Sequence, residues 1–118
     1  MNKQFLLKII LLLSLSASST VGAEIFWKGG KIKRILTHGK HYSGCMILMD
    51  STIGHGCPNA WVSLDCQGLF NNKNKESGKR HFASATAAAH AGKTISLRID
   101  NNQKVNGYCV VRRIDVLF

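Results

Sequence analysis

The sequence predicts a mainly β domain with a single helix and two disulfides. Five segments show the alternating or continuous apolar patterns of β-strands. A segment rich in alanine, the residue with the highest helix propensity, separates the third strand from the fourth. Four cysteines follow an N-terminal segment that is typical of exported proteins, in which disulfides form and persist. The 95 residues after that segment are enough for one domain and too few for two cores.

The first 23 residues have the pattern of a secretory signal peptide. Lys3 precedes an apolar run over residues 5–15, and the small residues Val21 and Ala23 occupy the positions that a signal peptidase reads. We therefore expect a mature domain from Glu24 to the C-terminus, in the periplasm or secreted. No later segment reaches the roughly 20 apolar residues of a membrane helix, so no transmembrane segment is expected after cleavage.

Three strands are predicted in the first part of the domain. After a short leading segment, residues 31–37 mix β-branched and charged side chains, as an exposed strand does. Residues 45–50 form a nearly continuous apolar run, which predicts a strand buried on both faces. Glycines and a proline break the chain before a third, alternating strand at residues 60–66.

One helix is predicted in the second part. Residues 67–78 are rich in Asn and Lys and are expected to form a solvated loop. The alanine-rich residues 79–91 are predicted to be helical, and Gly92 is a favoured residue just past a helix end. Phe82 lies on one stripe with small residues, so we expect it to anchor the helix.

Two strands complete the domain. Residues 94–100 alternate, with Ile95, Leu97 and Ile99 predicted to face inward. Residues 101–107 have the composition of a turn, and residues 108–118 form the last predicted strand.

Three strands, a helix and two strands is the order of an OB-fold, a five-stranded and partly open barrel with a helix at one end. This order selects one of the three pairings that four cysteines allow. In an antiparallel hairpin the start of one strand lies beside the end of the next, so Cys45 is expected to pair with Cys66. Barrel closure brings the last strand beside the third, and Cys57 is expected to pair with Cys109. The spacings lack the C-x2-C or C-x4-C pattern of a zinc site.

Several features together resemble a known group of proteins. They are the element order, the Gly30-Lys31-Ile32 opening, the paired cysteines with one in the last strand, and a helix that ends at residues 91–93 before a strand. On these features the chain, from about residue 30 onward, resembles small exported bacterial OB-fold proteins that include the B subunits of subtilase-type and typhoid-type AB5 toxins. The resemblance implies a homo-oligomeric ring that binds sialylated glycans.

The charge of the domain is strongly positive. Without Lys3 and Lys8 of the signal, fourteen basic and six acidic residues remain, a net charge of +8. Such a field attracts anionic partners such as lipid surfaces, acidic glycans or nucleic acid. The basic residues are spread over the chain, so a solvated surface that keeps the protein soluble is the alternative interpretation.

The candidate binding residues lie in two loops, since an OB barrel binds ligands at the loop after its first strand and at its last hairpin. They are His38, His41, Tyr42, Asn102, Lys104, Asn106 and Tyr108. Tyrosine rings stack on sugar or base faces, while Asn and Lys bind hydroxyls and anions. The alternative is that Asn serves the turns, that Tyr108 is core, and that Trp61 covers the barrel or the neighbouring disulfide.

A catalytic function is not predicted. The carboxylates lie mostly at strand ends or in loops, and oxidised cysteines cannot act as nucleophiles. The histidines lack the spacing of a metal site, and no cofactor is indicated. The sequence favours an exported binding module for a glycan or an anionic surface. A structural envelope protein without a small ligand and a single-stranded nucleic-acid binding protein are the alternatives, of which export disfavours the second.

Overall fold

The computed structural model describes residues 22–70 and 75–118, so residues 1–21 of the predicted signal peptide lie outside the described residues. The described part contains six strands, a short 3-10 segment and one α-helix. Their bounds are β1 Ile25–Gly30, β2 Ile32–Thr37, the 3-10 segment His41–Gly44, β3 Cys45–Met49, β4 Trp61–Ser63, α1 Lys75–His90, β5 Ile95–Val105 and β6 Tyr108–Val116. The prediction of a mainly β domain with one helix is confirmed.

The strands form one sheet in the order β1-β5-β6-β4-β3-β2. All neighbours are antiparallel except β4 and β6, which pair in parallel at Ser63 and Val110. β1 and β2 stand at the two ends of this order, although only Lys31 separates them along the chain.

The sheet has six strands rather than the five predicted, because the predicted leading segment contains β1. Only Phe26 of β1 is buried, while Ile25 and Trp27 are exposed. The strand also ends in two glycines. A single inward side chain is too weak a pattern to distinguish a strand from an irregular segment.

Three predicted boundaries are wrong. α1 begins at Lys75, so the end of the predicted loop is helical; residues 71–74 lie outside the described residues. β4 ends at Ser63 rather than at residue 66, because the chain turns at Asp65, whose φ is 57°. β5 continues to Val105, which leaves only Asn106 and Gly107 as the turn, with φ of 50° and 85°. Positive φ at both central residues is the geometry of a tight hairpin turn.

The core lies between the sheet and α1. Ile95, Leu97 and Ile99 are fully buried, as the alternation of β5 predicts. Ala85 and Ala88 of α1 are equally buried against them, and Phe82 is half-buried beside this cluster. α1 ends at His90, one residue before the predicted end, and Gly92 lies just past it with a φ of 64°, where the Lys93 N–H donates to the Ala88 carbonyl over 2.9 Å.

Two disulfides join β3 and β6 to the segments before and after β4. Cys45 is joined to Cys66 and Cys57 to Cys109, with Cα–Cα distances of 5.7 and 5.6 Å. These are the two predicted pairs. Among residues 22–70 and 75–118, no helix has the length and apolar content needed to cross a bilayer.

Candidate binding site

An aromatic cleft of about 140 Å³ lies on the face of the sheet that points away from the core. β2, β3, β4, β6 and the 3-10 segment each contribute to it. Its lining residues are Leu36, Tyr42, Met46, Trp61 and Tyr108. We call this site the aromatic cleft.

The floor of the aromatic cleft is apolar where a solvated sheet would be polar. Pairing across four strands places Leu36 beside Met46, Met46 beside Ser63, and Ser63 beside Val110. Met46 is only 2% exposed although its neighbours in β3, Cys45 and Ile47, fill the core on the opposite face. The prediction that this strand is buried on both faces is confirmed, and the rings of the aromatic cleft are what cover its second face. Antiparallel sheets commonly leave one face to solvent, so a covered outer face marks a specialised surface.

Four of the predicted binding residues meet at one side of the aromatic cleft. The Tyr42 and Tyr108 rings touch edge to face, with centroids 5.6 Å apart. The His38 and His41 rings are 4.9 Å apart. Tyr42 links the two pairs, because its ring lies 6.4 Å from His38 and 6.1 Å from His41. The first predicted loop and the last strand therefore converge on the same surface.

Arg34 adds a positive charge at the other side of the aromatic cleft. Its guanidinium carbon lies 5.9 Å from the centre of the Trp61 ring, within the range of a cation–π contact. The register of the sheet explains this contact, since Arg34 pairs with Leu48 and Leu48 with Trp61. The Trp61 ring thus has a cation beside it.

The backbone that carries the Tyr42 ring is held in an uncommon conformation. Tyr42 has φ 59° and ψ 24°, and Ser43 has φ 54° and ψ 37°. Left-handed geometry at residues other than glycine costs on the order of 1–3 kcal/mol and persists only where surrounding contacts enforce it. One such contact is a hydrogen bond of 2.8 Å from the Ser63 hydroxyl to the Tyr42 carbonyl.

The buried carboxylate of Asp65 supplies further contacts that enforce this conformation. It accepts a hydrogen bond of 2.6 Å from the Ser43 hydroxyl. It also accepts the backbone N–H groups of Leu69 and Phe70, both over 2.8 Å. Hydrogen bonds to a charged acceptor in a buried site are strong. The disulfide of the adjacent Cys66 ties this network to β3, so the backbone that carries the Tyr42 ring is held from several sides.

His81 of α1 faces this network, and its titration should make stability depend on pH. Burial lowers the pKa of the His81 imidazole, while a hydrogen bond to the Leu64 backbone and the charge of Asp65 partly oppose this shift. A histidine with a lowered folded-state pKa takes up a proton when the chain unfolds. The free energy of unfolding should therefore fall as the pH drops below 6.5, its ordinary pKa, until the folded-state pKa is passed.

Replacing His81 with glutamine measures this contribution, because glutamine keeps a polar amide and cannot titrate. Between about pH 7 and about pH 5 we expect the wild type to lose more stability than His81→Gln in urea denaturation. The exposed His90, at the end of the same helix, provides a control, and His90→Gln should follow the wild type. Parallel curves for the wild type and His81→Gln would contradict the assignment.

The other predicted binding residues lie apart from the aromatic cleft. Asn102 and Lys104 line a separate cavity of about 190 Å³, together with His55 and Asn101. The Lys104 ammonium group donates to the Gly56 carbonyl over 3.3 Å. Asn106 is exposed in the hairpin turn. Lys104 pairs with Cys109 and Val105 with Tyr108, so Lys104 and Tyr108 occupy successive positions of the hairpin, where side chains point to opposite faces of the sheet.

Four residues of this site were not among the predicted binding residues: Arg34, Leu36, Met46 and Trp61. The unbroken apolar run in β3 was the available signal, because burial of both faces requires something to cover the second one. Within residues 22–70 and 75–118, no three His, Cys, Asp or Glu side chains are grouped as a metal site would require. Comparisons of this chain with protein-family models, with characterised proteins and with solved structures find no match.

Proposed function

We propose that this protein is an exported, non-catalytic binding module that takes one sugar ring of a glycan in the aromatic cleft. The observation that carries the proposal is the convergence of Tyr42, Trp61 and Tyr108 over an apolar floor. Aromatic rings provide flat apolar surfaces for the C–H faces of a sugar, with polar edges that hydrogen-bond its hydroxyl groups. The His38 and His41 imidazoles stand beside the rings and add hydrogen-bonding groups.

The size of the aromatic cleft supports a single ring rather than a large ligand. Its volume of about 140 Å³ is below the range of roughly 300–1,000 Å³ for pockets that enclose drug-sized molecules. A shallow site of this kind suits the end of a glycan chain, from which the remaining sugars extend into solvent. The support of Tyr42 by Ser63 and Asp65 lowers the entropy cost of binding, because the ring need not be ordered by the ligand.

We further infer that the six strands correspond to the five strands of an OB-type barrel, with β1 and β2 as two halves of one bent strand. Three observations support this inference. Only Lys31 separates the two halves, one half pairs with β5 and the other with β3, and Gly30 has a φ of 150°. The parallel contact of β4 with β6 fits the same topology. In such a barrel the ligand face lies on the strands that form the aromatic cleft.

Two hydrogen bonds between Glu24 and Asn101 of β5 support export with cleavage before Glu24. The Glu24 carbonyl accepts the Asn101 N–H over 3.1 Å, and the Glu24 N–H donates to the Asn101 side chain over 2.7 Å. The first residue after the predicted cleavage is thus already tied to β5. Cleavage there removes no residue of the sheet, and we expect the exported protein to begin at Glu24. The two disulfides are compatible with an oxidising compartment. The resemblance to AB5 toxin B subunits, and the ring it implies, stay predictions.

A glycan array followed by titration of the best ligand tests the proposed function. We expect Trp61→Ala to weaken glycan binding about tenfold or more, which is about 1.4 kcal/mol, since it removes one of the three rings that the sugar contacts. Trp27 is the matched control, because it is an exposed tryptophan on other strands; Trp27→Ala should bind like the wild type. Circular dichroism of each variant checks that the fold is kept.

Three results would overturn the proposed function. Equal losses in both tryptophan variants would mean that the aromatic cleft is not the site. A salt-dependent shift of single-stranded DNA without glycan binding would favour the nucleic-acid alternative. The absence of any ligand, with an intact fold, would favour a structural envelope protein.

A further inference from the structure

A second exposed surface crosses three strands at the other end of the sheet order. Trp27 of β1 pairs with Arg98 of β5, and Arg98 pairs with Arg113 of β6. All three side chains are exposed. The Arg113 guanidinium carbon lies 5.4 Å from the centre of the Trp27 ring, within the range of a cation–π contact. We call these three residues the tryptophan–arginine ladder.

Exposed apolar side chains are concentrated around this ladder. Five large hydrophobic residues are exposed among those that the structure describes, and four of them lie on β1 or just past the end of β6. These four are Ile25, Trp27, Leu117 and Phe118. Ile25 lies two residues before Trp27, whereas Leu117 and Phe118 follow Val116 at the opposite end of β1, so these apolar residues flank the ladder on both sides and extend it as a contact surface.

The net charge around the tryptophan–arginine ladder is positive, even when the nearby carboxylates of Asp100 and Asp115 are included. Arg113 is paired with Asp115 over 2.7 Å, and Arg112 with Asp100 over 3.4 Å. Arg98 has no carboxylate partner among residues 22–70 and 75–118. Lys93 adds another cation, since its ammonium group lies 6.0 Å from the Phe118 ring. The Trp27 ring therefore lies beside the uncompensated Arg98, and Lys93 adds a further cation next to the Phe118 ring.

We propose that the tryptophan–arginine ladder binds the surface of an anionic lipid bilayer. Arginine forms bidentate hydrogen bonds with phosphate groups, and tryptophan favours the boundary between headgroups and acyl chains. The exposed apolar residues favour a bilayer over other anionic partners. Burial of Ile25, Leu117 and Phe118 in hydrocarbon is favourable, whereas a sulfated polysaccharide or a nucleic acid backbone offers little apolar surface. The positive charge of the whole domain adds a longer-range attraction.

This surface is independent of the proposed glycan site. The aromatic cleft uses the Tyr108 end of β6, whereas the ladder uses Arg113, near the opposite end of that strand. The two tryptophans of the chain are divided between them, Trp61 in the aromatic cleft and Trp27 in the ladder. A bilayer bound at the ladder would leave the aromatic cleft open to a second ligand.

The fluorescence of single-tryptophan variants identifies the face that meets a membrane. Trp61→Phe leaves only Trp27 to report, and Trp27→Phe leaves only Trp61. The probes are vesicles of phosphatidylcholine alone and of phosphatidylcholine with phosphatidylglycerol. With the anionic vesicles we expect a blue shift of Trp27 emission and none of Trp61 emission. Neutral vesicles should produce no shift in either variant.

Two double variants that change the net charge equally distinguish binding by the tryptophan–arginine ladder from attraction by the overall charge of the domain. Arg98→Glu with Arg113→Glu should weaken co-sedimentation with the anionic vesicles by at least about tenfold, because each basic residue near the surface contributes separately. Lys33→Glu with Lys40→Glu alters two exposed residues elsewhere and should weaken it far less. Trp27→Ala, which keeps every charge, should also reduce binding.

The proposal fails if both double variants lose binding equally, or if Trp61 is the ring that shifts. It also fails if dextran sulfate binds while vesicles do not. If the native mass corresponds to more than one copy and Trp27→Ala restores the monomer, a second copy of this chain covers the ladder instead. None of these outcomes depends on whether the aromatic cleft binds a glycan.

Discussion

Replacing Gly78 with alanine is expected to destabilise the domain by about 3 kcal/mol, the upper part of the range for overpacking. Gly78 is buried in α1 against the chain that leads from β4. A Cβ atom there would lie 2.5 Å from the Asp65 carbonyl carbon and 2.6 Å from the Cys66 Cα. Both neighbours are backbone atoms, and Cys66 is held by its disulfide. The helix would have to move away from the sheet.

Urea denaturation of Gly78→Ala measures this effect, and Gly39→Ala is the control. A Cβ atom at Gly39 would have no neighbour within 4 Å, and the φ of Gly39 is not positive. Helix propensity alone predicts the opposite sign for Gly78, a gain of about 1 kcal/mol. A variant as stable as the wild type would show that α1 does not pack this closely. Because Asp65 also supports Tyr42, the same substitution should weaken glycan binding at the aromatic cleft.

Removing the disulfide between Cys57 and Cys109 is expected to cost about 4 kcal/mol of stability. The two cysteines are 52 residues apart, and the loop-entropy relation assigns about 4 kcal/mol to a closed loop of this length. Both sulfur atoms belong to buried residues, so the double alanine variant also loses packing. A loss of this size is comparable with the whole stability of a small domain, about 5–15 kcal/mol.

The matched comparison is the other disulfide. Cys45 and Cys66 are 21 residues apart, for which the same relation gives about 3 kcal/mol. The measurements are urea denaturation of the two double alanine variants and a thiol titration of the wild-type protein. Both removals should also weaken glycan binding, since Cys66 follows Asp65 and Cys109 follows Tyr108 of the aromatic cleft. Free thiols in the wild type, or losses below about 1 kcal/mol, would contradict both expectations.

The sequence predicted the elements whose own residues carry a strong pattern. The inward side of β5 follows from the alternation of Ile95, Leu97 and Ile99, because every second side chain of a strand points to the same face. The end of α1 follows from Gly92, which adopts the left-handed conformation readily. The disulfide pairing followed from the element order, since two short hairpin strands leave few cysteines within reach of each other.

Other features could not be predicted because they depend on partners distant in the chain. β1 is a strand through its pairing with β5, about 70 residues later, and buries only Phe26. The helical residues before position 79 are held by the contact of Gly78 with Asp65, which no local propensity reveals. The candidate binding residues of the predicted last hairpin lie at different sites. Tyr108 lines the aromatic cleft, and Lys104 lines another cavity. The alternation of side chains between the two faces of the hairpin accounts for that separation.

The sequence by itself determined the mainly β class with one helix, the cysteine pairs and two of the tyrosines at the candidate site. These depend on periodicity, composition and the order of the elements, which can be read along the chain. Only the tertiary structure decided that Tyr42, Trp61 and Tyr108 share one surface while Trp27 lies on another. That choice depends on sheet register, because pairing across strands brings together residues that are far apart in the sequence.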